Sequence, residues 1–152
     1  MRHQVKGRKL KRTHSHRNAL LKNLAASLFL HKRIETTIAK AKELRSFAEP
    51  LITRARKGTL HDMRIVMSAL RHKEAAKELF NNVVPAVGDR KGGYTRIVRT
   101  AVRLGDAAQM AIIELVDYNE AANQMAQQRQ EAREAAAQSK KEKEAEKASA
   151  ES

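Results

Sequence analysis

Residues Thr95 to Val116 read TRIVRTAVRLGDAAQMAIIELV, and this stretch has the two-residue period of β-strands. Its first part alternates between two faces of a strand, and only Ile97 breaks the alternation. One face carries Val98, Thr100, Val102 and Leu104, and the other carries Arg99, Ala101 and Arg103. After the turn signal Gly105-Asp106 comes MAIIELV, a run that is apolar except for Glu114 and typical of a central strand. The stretch therefore predicts a β-hairpin.

Before this hairpin, apolar residues recur mainly at helical spacing. We expect a first helix that begins near Ser15, a plausible N-cap, followed by a short strand in RIETTI, residues 33–38. A second helix then continues to Gly58, which is a suitable stop signal. Pro50 predicts a kink or a break within that second helix.

Two shorter helical patterns complete the part before the hairpin. One carries Leu60, Met63, Val66, Met67 and Leu70, and the other carries Ala76, Leu79, Phe80 and Val83. Pro85 is expected to close the second pattern. The sequence thus predicts one globular α+β domain over residues 14–118, with a helical N-terminal part and a small mixed or antiparallel sheet.

Two segments of different composition flank this domain. Residues 1–13 are basic and hold few apolar side chains, so we expect an extension without a core of its own that binds RNA. Residues 119–152 are low in complexity, rich in Ala, Glu, Lys and Gln, with Met125 as their only large apolar residue. This C-terminal tail is expected to be solvated or partly helical.

The charge of the chain restricts its partners. The sequence has 31 Lys and Arg against 17 Asp and Glu, a formal net charge of +14. Such a balance favours nucleic acid, an anionic membrane surface or an acidic protein as partner. No apolar run is long enough to cross a bilayer and no cysteine is present, so we expect an intracellular protein without a membrane partner.

The sequence offers no recognisable catalytic centre. His3, His14 and His16 lie close together, but the first carboxylate of the chain is Glu35, so nothing nearby could orient a histidine or complete a metal site. The aspartates are scattered singly and are typical of caps and turns. We therefore expect no enzyme, no metal, no cofactor and no small-molecule substrate, which disfavours an RNA-processing enzyme.

The N-terminal tract, residues 1–17 together with Lys22 of the first helix, is the strongest indication of a binding site. It contains no acid, and its cations continue from the extension onto the polar side of the first helix. Such an arm can neutralise phosphates on several sides. The alternative is a solvated charge run or a localisation signal. The candidate RNA-binding residues of this tract are Arg2, His3, Lys6, Arg8, Lys9, Lys11, Arg12, His14, His16, Arg17 and Lys22.

A second candidate site is GDRKGGYTR, residues 88–96, which is a loop by composition. Adjacent glycines allow a close approach of the backbone to an anion, and Tyr94 offers a face for stacking. The equally weighted alternative is an ordinary connection whose tyrosine packs on the core. The candidate RNA-binding residues here are Arg90, Lys91, Gly92, Gly93, Tyr94 and Arg96, with Arg99 and Arg103 on the following strand.

RNA is favoured over DNA as the nucleic acid. No helix-turn-helix spacing, zinc finger or basic zipper is present to enter a major groove. A mixed arm of Lys, Arg, His and Gly suits folded RNA, whose phosphates converge from several directions. The alternative that remains open is a DNA-binding protein of the nucleoid type, which would also be small, basic and free of cysteine.

Three segments, in the same order, resemble one known family. RTHSHRNALLKNLAASLFLHKRIETTIAKAKELRSFAEPLITRARKG, residues 12–58, is similar to the opening of the bacterial large-subunit (50S) ribosomal protein seventeen family. DRKGGYTRI, residues 89–97, and RLGDAAQMAIIELV, residues 103–116, resemble later segments of that family. The sequence departs from the family in two places. Gln109 stands where a proline is expected, and the tail is longer than usual.

The resemblance implies a structural constituent of the large ribosomal subunit that supports its assembly and stability in translation, without catalysis. Its partners would be the large-subunit rRNA and neighbouring ribosomal proteins, on the outer side of the subunit near the peptide exit region. Localisation would be cytoplasmic, on the ribosome. By position, the RNA contacts of the family would fall on residues 1–17 and on the GGYTR loop, residues 92–96.

Overall fold

A computed structural model describes residues 7–119. The described chain contains helices packed beside a three-stranded sheet, which confirms the predicted α+β class. The helices are α1 (His14–His31), α2 (Ile38–Lys57), α3 (Leu60–Leu70), α4 (Lys73–Glu78) and α5 (Val84–Val87). The strands are β1 (Arg33–Thr37), β2 (Thr95–Val102) and β3 (Gln109–Leu115). A π-helical turn, Leu79–Val83, joins α4 to α5, and a 3-10 turn, Val116–Tyr118, follows β3.

The sheet has the order β1-β3-β2, and both pairings are antiparallel. The predicted hairpin of β2 and β3 is therefore confirmed, and so is the central position of β3. RIETTI supplies the third strand, as expected, and Ile34 pairs with Ile113 of β3. On the other side Ile113 pairs with Ile97 of β2. These three isoleucines form one row across the sheet, because directly paired residues share a face.

That isoleucine row identifies the buried face of β2. Ile97, the residue that broke the alternation, packs against the core, and Thr95 is buried. Val98 and Val102 are 44% and 54% exposed. The apolar face read from the alternating pattern is thus the solvent-facing one. The alternation also fails beyond Arg99, because the register shifts between Arg99 and Val102.

The helix boundaries correct three details of the sequence analysis. α1 begins at His14 and its N-cap position is Thr13, so Ser15 lies within the first turn and is not the cap. α2 continues through Pro50 as one helix, so no break occurs there. The loss of one hydrogen bond is tolerated, because Ala48, Leu51 and Ile52 bury that part of α2 in the core.

The predicted stop at Pro85 is also wrong. Pro85 lies in the first turn of α5, which follows the π-helical turn directly. The helix continues to Val87, and Gly88 follows at a φ of 52°. The predicted stop of α2 is confirmed, since Gly58 has a left-handed φ of 67° and its N–H bonds the carbonyl oxygen of Ala55.

The core is aliphatic, and α2 lies at its centre. Its largest fully buried side chains are those of Tyr94, Phe29, Leu28, Leu44, Ile52 and Leu79. Only part of the apolar pattern of α3 reaches the core. Val66 and Leu70 are buried, whereas Leu60, Met63 and Met67 are exposed. Asp62 is buried on that same side. Its carboxylate accepts a hydrogen bond from the Thr59 hydroxyl, and its backbone N–H donates to the same hydroxyl.

Part of the basic extension is described, and it is not without structure. Residues Lys9 to Arg12 form a turn closed by a 3.0 Å hydrogen bond from the Arg12 N–H to the Lys9 carbonyl oxygen. Leu10 and Lys11 adopt left-handed conformations, at φ values of 53° and 51°. The predictions for residues 1–6 and for 120–152 lie outside the described residues. Within residues 7–119, no helix is long and apolar enough to cross a membrane.

Candidate nucleic-acid interface

The N-terminal turn is attached to the first turn of α1 through Arg12. The Arg12 Nε donates to Nε2 of His16 at 3.2 Å, and its Nη1 donates to the Leu10 carbonyl oxygen at 3.3 Å. Because Nε2 of His16 accepts this bond, neutral His16 carries its proton on Nδ1. Residues Lys9 to His16 therefore form one continuous surface that joins the extension to α1.

The cations of this surface are not neutralised by the protein itself. In residues 7–119, no ion pair involves any cation of the tract before Lys32. The described cations concerned are Arg8, Lys9, Lys11, Arg12, Arg17 and Lys22. Glu43 of α2 approaches the start of this surface, since its Oε2 would lie 3.3 Å from a Cβ placed on Gly7. The tract thus offers unpaired positive charge to an external anion.

The second candidate site, the loop between α5 and β2, is built around Arg56 of α2. The Arg56 Nη1 donates to the Arg90 carbonyl oxygen at 2.6 Å and to the Tyr94 hydroxyl at 3.3 Å. The Thr53 hydroxyl also donates to the Tyr94 hydroxyl at 3.3 Å. The carbonyl oxygen of Tyr94 accepts from the Val116 N–H at 3.0 Å. The loop is therefore fixed from both sides, to α2 and to the end of β3.

Tyr94 is a core residue, only 1% exposed. Its ring is not available for stacking on a base, so the prediction of a stacking face is wrong and the alternative, packing on the core, is confirmed. The physical reason is that the Tyr94 ring belongs to the buried core while its hydroxyl accepts hydrogen bonds from Thr53 and Arg56 of α2. The sequence could not show this, because both donors are on α2, far along the chain.

The glycines of the loop remain compatible with a close approach by an anion. Gly92 and Gly93 are exposed, and apart from the adjacent residues of the chain no atom lies within 4 Å of a Cβ placed on either of them. Gly93 has a φ of 66°, a conformation that L side chains rarely adopt. A phosphate could therefore reach the backbone here without meeting a side chain.

Three of the predicted arginines have internal acid partners. Arg90 donates to Oδ1 of Asp117 from Nη2 at 2.8 Å and from Nε at 3.2 Å. Arg96 pairs with Glu114, which is only 3% exposed, at 3.6 Å. Arg103 pairs with Asp106 at 2.6 Å. These arginines therefore form ion pairs within the hairpin and its loop.

The pairing of Arg103 changes the titration of its partner. The hydrogen bond from Arg103, followed by one from the Ala108 N–H, lowers the pKa of Asp106 from 3.8 to about 2. The same pairing raises the pKa of Arg103. Lys91 and Arg99, by contrast, form no ion pair with any residue in 7–119, and both are exposed. The unpaired charge of the second site therefore lies on Lys91 and Arg99.

The two predicted sites lie at different ends of α2. The N-terminal tract meets α2 near Glu43, and the loop meets it at Arg56. Thirteen residues of helix correspond to about 20 Å. The structure therefore does not merge the two sites into one patch. A ligand that contacts both must extend at least that far, as folded RNA does.

The structure adds basic residues that the sequence analysis missed. Arg56 organises the loop, and Arg71 and His72, at the junction of α3 and α4, lie beside Lys22 in a cleft. They stand in the short basic runs RARK, residues 54–57, and RHK, residues 71–73, at helix ends, where a solvated charge is the ordinary interpretation. Within the described range, no group of three or more His, Cys, Asp or Glu residues could hold a metal ion.

Comparison with known proteins assigns the chain to a family. The family model described as Ribosomal protein L17 matches residues 20–116. The chain is 60% identical over 121 residues to the large ribosomal subunit protein bL17 of Chlorobaculum tepidum, covering 80% of this chain and 77% of that protein. It is 59% identical over 121 residues to the protein of the same name from Chlorobaculum parvum, covering 80% and 79%. The protein of that name from Porphyromonas gingivalis is 57% identical over 120 residues, covering 79% and 75%.

The matched segment contains the fold. It begins within α1 and ends just after β3, so it includes every strand and the loop before β2. Residues 1–19, which hold most of the N-terminal cations, lie outside it. The family match and the relatives confirm the resemblance seen in the sequence: this chain belongs to the ribosomal protein L17 family.

Proposed function

We propose that this protein is a structural constituent of the bacterial large ribosomal subunit, bound to the large-subunit rRNA and to neighbouring ribosomal proteins. It acts on the cytoplasmic ribosome and supports the assembly and stability of the subunit. Membership of the ribosomal protein L17 family supports this role, as do the names of the relatives. The role is structural and not catalytic.

One observation carries the assignment of the RNA-binding surface: the cations from Arg8 to Lys22 have no acidic partner in residues 7–119. The folded protein bears the repulsion among these charges, and phosphates of RNA remove it. Each phosphate that is neutralised also releases condensed counterions, which favours binding at low salt. The turn at Lys9–Arg12 fixes the path of the chain before binding, so less order has to be gained in the complex.

The loop between α5 and β2 forms a second contact with the same RNA. The exposed Gly92 and Gly93 leave room for a phosphate beside the backbone, and Lys91 and Arg99 supply positive charge. Arg90, Arg96 and Arg103 keep their acid partners and hold this region in shape. Contacts about 20 Å apart on one protein suit a folded RNA whose helices converge. Nothing among these findings favours the DNA-binding alternative.

The test is sedimentation of a cell lysate through sucrose gradients at low and at moderate salt, with detection of this protein in each fraction. We expect it to migrate with the large subunit at about one copy per particle and to remain there after a moderate salt wash. Migration as free protein at the top of the gradient, or with genomic DNA after RNase treatment, would overturn the proposed function.

A further inference from the structure

A cleft of about 360 Å³ lies between α1 and the junction of α3 and α4. Clefts that bind small organic groups start at about 300 Å³. Two segments far apart in the sequence supply its polar lining. Asn18, Lys22 and Asn23 come from α1, and Arg71 and His72 come from the junction. Leu70, which is buried, and Ala19 add apolar lining between them.

The charge of the cleft is entirely positive. None of its lining residues is acidic, and neither Lys22 nor Arg71 takes part in an ion pair in the chain from 7 to 119. Two cations on opposite sides of a concave surface raise the local concentration of anions. The guanidinium of Arg71 can in addition grip a phosphate through two parallel hydrogen bonds.

The backbone of Arg71 is in the left-handed conformation, which favours glycine. Arg71 ends α3 with a left-handed φ of 52°, and its N–H bonds the Met67 carbonyl oxygen at 2.9 Å. Glycine is the residue best suited to this position, because it has no Cβ to clash. An arginine here lowers the stability of the helix end relative to glycine and places its side chain on the cleft.

The neutral side chains of the cleft suit a base. Nδ1 of His72 accepts a 3.2 Å hydrogen bond from the Ala75 N–H, so neutral His72 carries its proton on Nε2, which can donate. The amides of Asn18 and Asn23 can both donate and accept. Such groups recognise the free edge of an unpaired base, which a base in a duplex does not offer.

We propose that this cleft binds one unpaired ribonucleotide of the large-subunit rRNA, with a phosphate on Lys22 and Arg71 and the base edge on Asn18, Asn23 and His72. The proposal rests on the proposed function and adds a specific contact to it. Lys22 continues the cationic surface of the N-terminal tract, so an RNA strand bound there can reach the cleft without leaving the protein.

The first test is Arg71→Gly, measured on the full-length protein with a transcript of the large-subunit rRNA across a salt series. We expect an unfolding temperature at or above that of the unsubstituted protein, because glycine relieves the left-handed backbone. Affinity should nevertheless fall several-fold, and the slope of log K against log salt should decrease by about one. An unchanged affinity and slope would overturn the proposal.

Two control variants isolate the cleft. Ala107 has a left-handed φ of 51°, and Ala107→Gly relieves the strain of this conformation without removing charge. This variant should therefore be at least as stable and should bind RNA as before. Arg64→Gln removes one exposed cation of α3 that does not line the cleft. If Arg64→Gln weakened binding as much as Arg71→Gly, general charge and not the cleft would explain the loss, and the proposal would fall.

The second test identifies the RNA. The chain has no cysteine, so Lys73→Cys, which follows the lining residue His72 in the sequence, provides a single site for a tethered iron chelate. Hydroxyl-radical cleavage of the transcript should centre on an unpaired nucleotide. Cleavage only within continuous helices would contradict the proposal. If only the cleft proposal is wrong, the unsubstituted protein still binds the transcript and still co-sediments with the large subunit. If the proposed function is wrong, the unsubstituted protein does neither.

Discussion

Arg90 and Asp117 join the two ends of the β2–β3 region: the guanidinium of Arg90 in the loop before β2 bonds a carboxylate that follows β3, at 2.8 and 3.2 Å. Arg90 was a candidate RNA ligand, but this geometry gives it an internal role. Asp117 has little exposed surface, and its Oδ2 is buried without a hydrogen-bond partner in the described chain. The carboxylate therefore depends on Arg90 for compensation of its charge.

A double-mutant cycle tests that role. Arg90→Ala should lower the free energy of unfolding by about 1.5–3 kcal/mol, since it leaves a largely buried carboxylate without its charged donor. Asp117→Ala should cost less, because Arg90 is more exposed and can be solvated. The double variant should be more stable than the sum of the two losses predicts. Chemical denaturation measures all four proteins, and strict additivity would contradict a direct pair.

Tyr94 separates a core role from an RNA-binding role. Tyr94→Phe removes the hydroxyl that accepts from Thr53 and Arg56, and should lower the free energy of unfolding by about 1 kcal/mol. Tyr94→Leu removes most of a buried ring and should cost about 3 kcal/mol or more. At a temperature where each variant is folded, affinity for the rRNA transcript should stay the same. A loss of affinity in Tyr94→Phe without a loss of stability would restore a contact of this residue with RNA.

Lys32 closes α1 with a left-handed φ of 64° and holds the helix end to α4 and to the turn after β3. Its ammonium group bonds Glu78 and the Phe29 carbonyl oxygen, and lies 5.1 Å from the centre of the Tyr118 ring. Lys32→Ala loses these contacts and keeps the strained backbone. Lys32→Gly loses the same contacts but relieves the backbone.

We therefore expect Lys32→Gly to be more stable than Lys32→Ala by about 1 kcal/mol, although both are less stable than the unsubstituted protein. Thermal and chemical unfolding measure the order. If Lys32→Ala were the more stable of the two, the left-handed conformation at the end of α1 would be wrong.

The acid limb of the stability curve should depend on carboxylates whose pKa values lie below their ordinary range. Asp106 has a pKa of about 2 in the folded protein because Arg103 and the Ala108 N–H donate to it. The pKa of Glu78 is also lowered, first by its hydrogen bond from Lys32. A depressed carboxyl pKa stabilises the folded state above the ordinary pKa, near 4, and this contribution disappears as the pH falls toward the folded value.

Arg103→Gln provides the matching experiment. Removal of the largest cause should raise the pKa of Asp106 from about 2 toward 3.8, although the Ala108 N–H still lowers it somewhat. Carboxyl chemical shifts followed by NMR between pH 1.5 and 6 report this pKa directly. The unfolding temperature of the variant should change less between pH 4 and pH 2 than that of the unsubstituted protein. An Asp106 pKa near 3.8 in the unsubstituted protein would refute the pair.

Local signals explain what the sequence could predict of the fold. The apolar run of β3 indicates a strand that is paired on both sides, and Gly58 supplies the left-handed residue that ends α2. The face of β2 was not predictable in this way, because Ile97 and Val98 are both apolar and lie on opposite faces. The buried residue of the two is decided by the pairing of Ile97 with Ile113 on the neighbouring strand.

The candidate site also has features that the sequence shows and features that it does not show. The absence of acids before Glu35 is visible in the sequence, and the lack of ion pairs for the described N-terminal cations is consistent with it. The partner of Arg90, in contrast, lies 27 residues away, and the cleft requires Arg71 to meet Lys22 across nearly fifty residues. No local pattern carries such information, because it depends on how the helices pack.

The last prediction concerns the N-terminal tract as the principal RNA contact. Replacement of Arg8, Lys9, Lys11 and Arg17 by glutamine removes four cations that form no ion pair in the described chain and leaves the Arg12 contacts in place, so the unfolding temperature should change little. The matched control replaces Lys42, Arg45, Arg64 and Lys77, which are exposed and likewise outside any ion pair among residues 7–119.

Each variant loses two lysines and two arginines, so the net charge of the two proteins is the same. If the tract contacts phosphates directly, its variant should bind the rRNA transcript far more weakly, and its salt slope should fall by about three, at roughly 0.7–0.9 per phosphate. The control should keep most of the affinity and nearly the full slope, because long-range attraction alone is screened within about 10 Å at 0.1 M salt. Equal losses in both variants would mean that RNA responds to the total charge of the protein, and the tract would then have no special role.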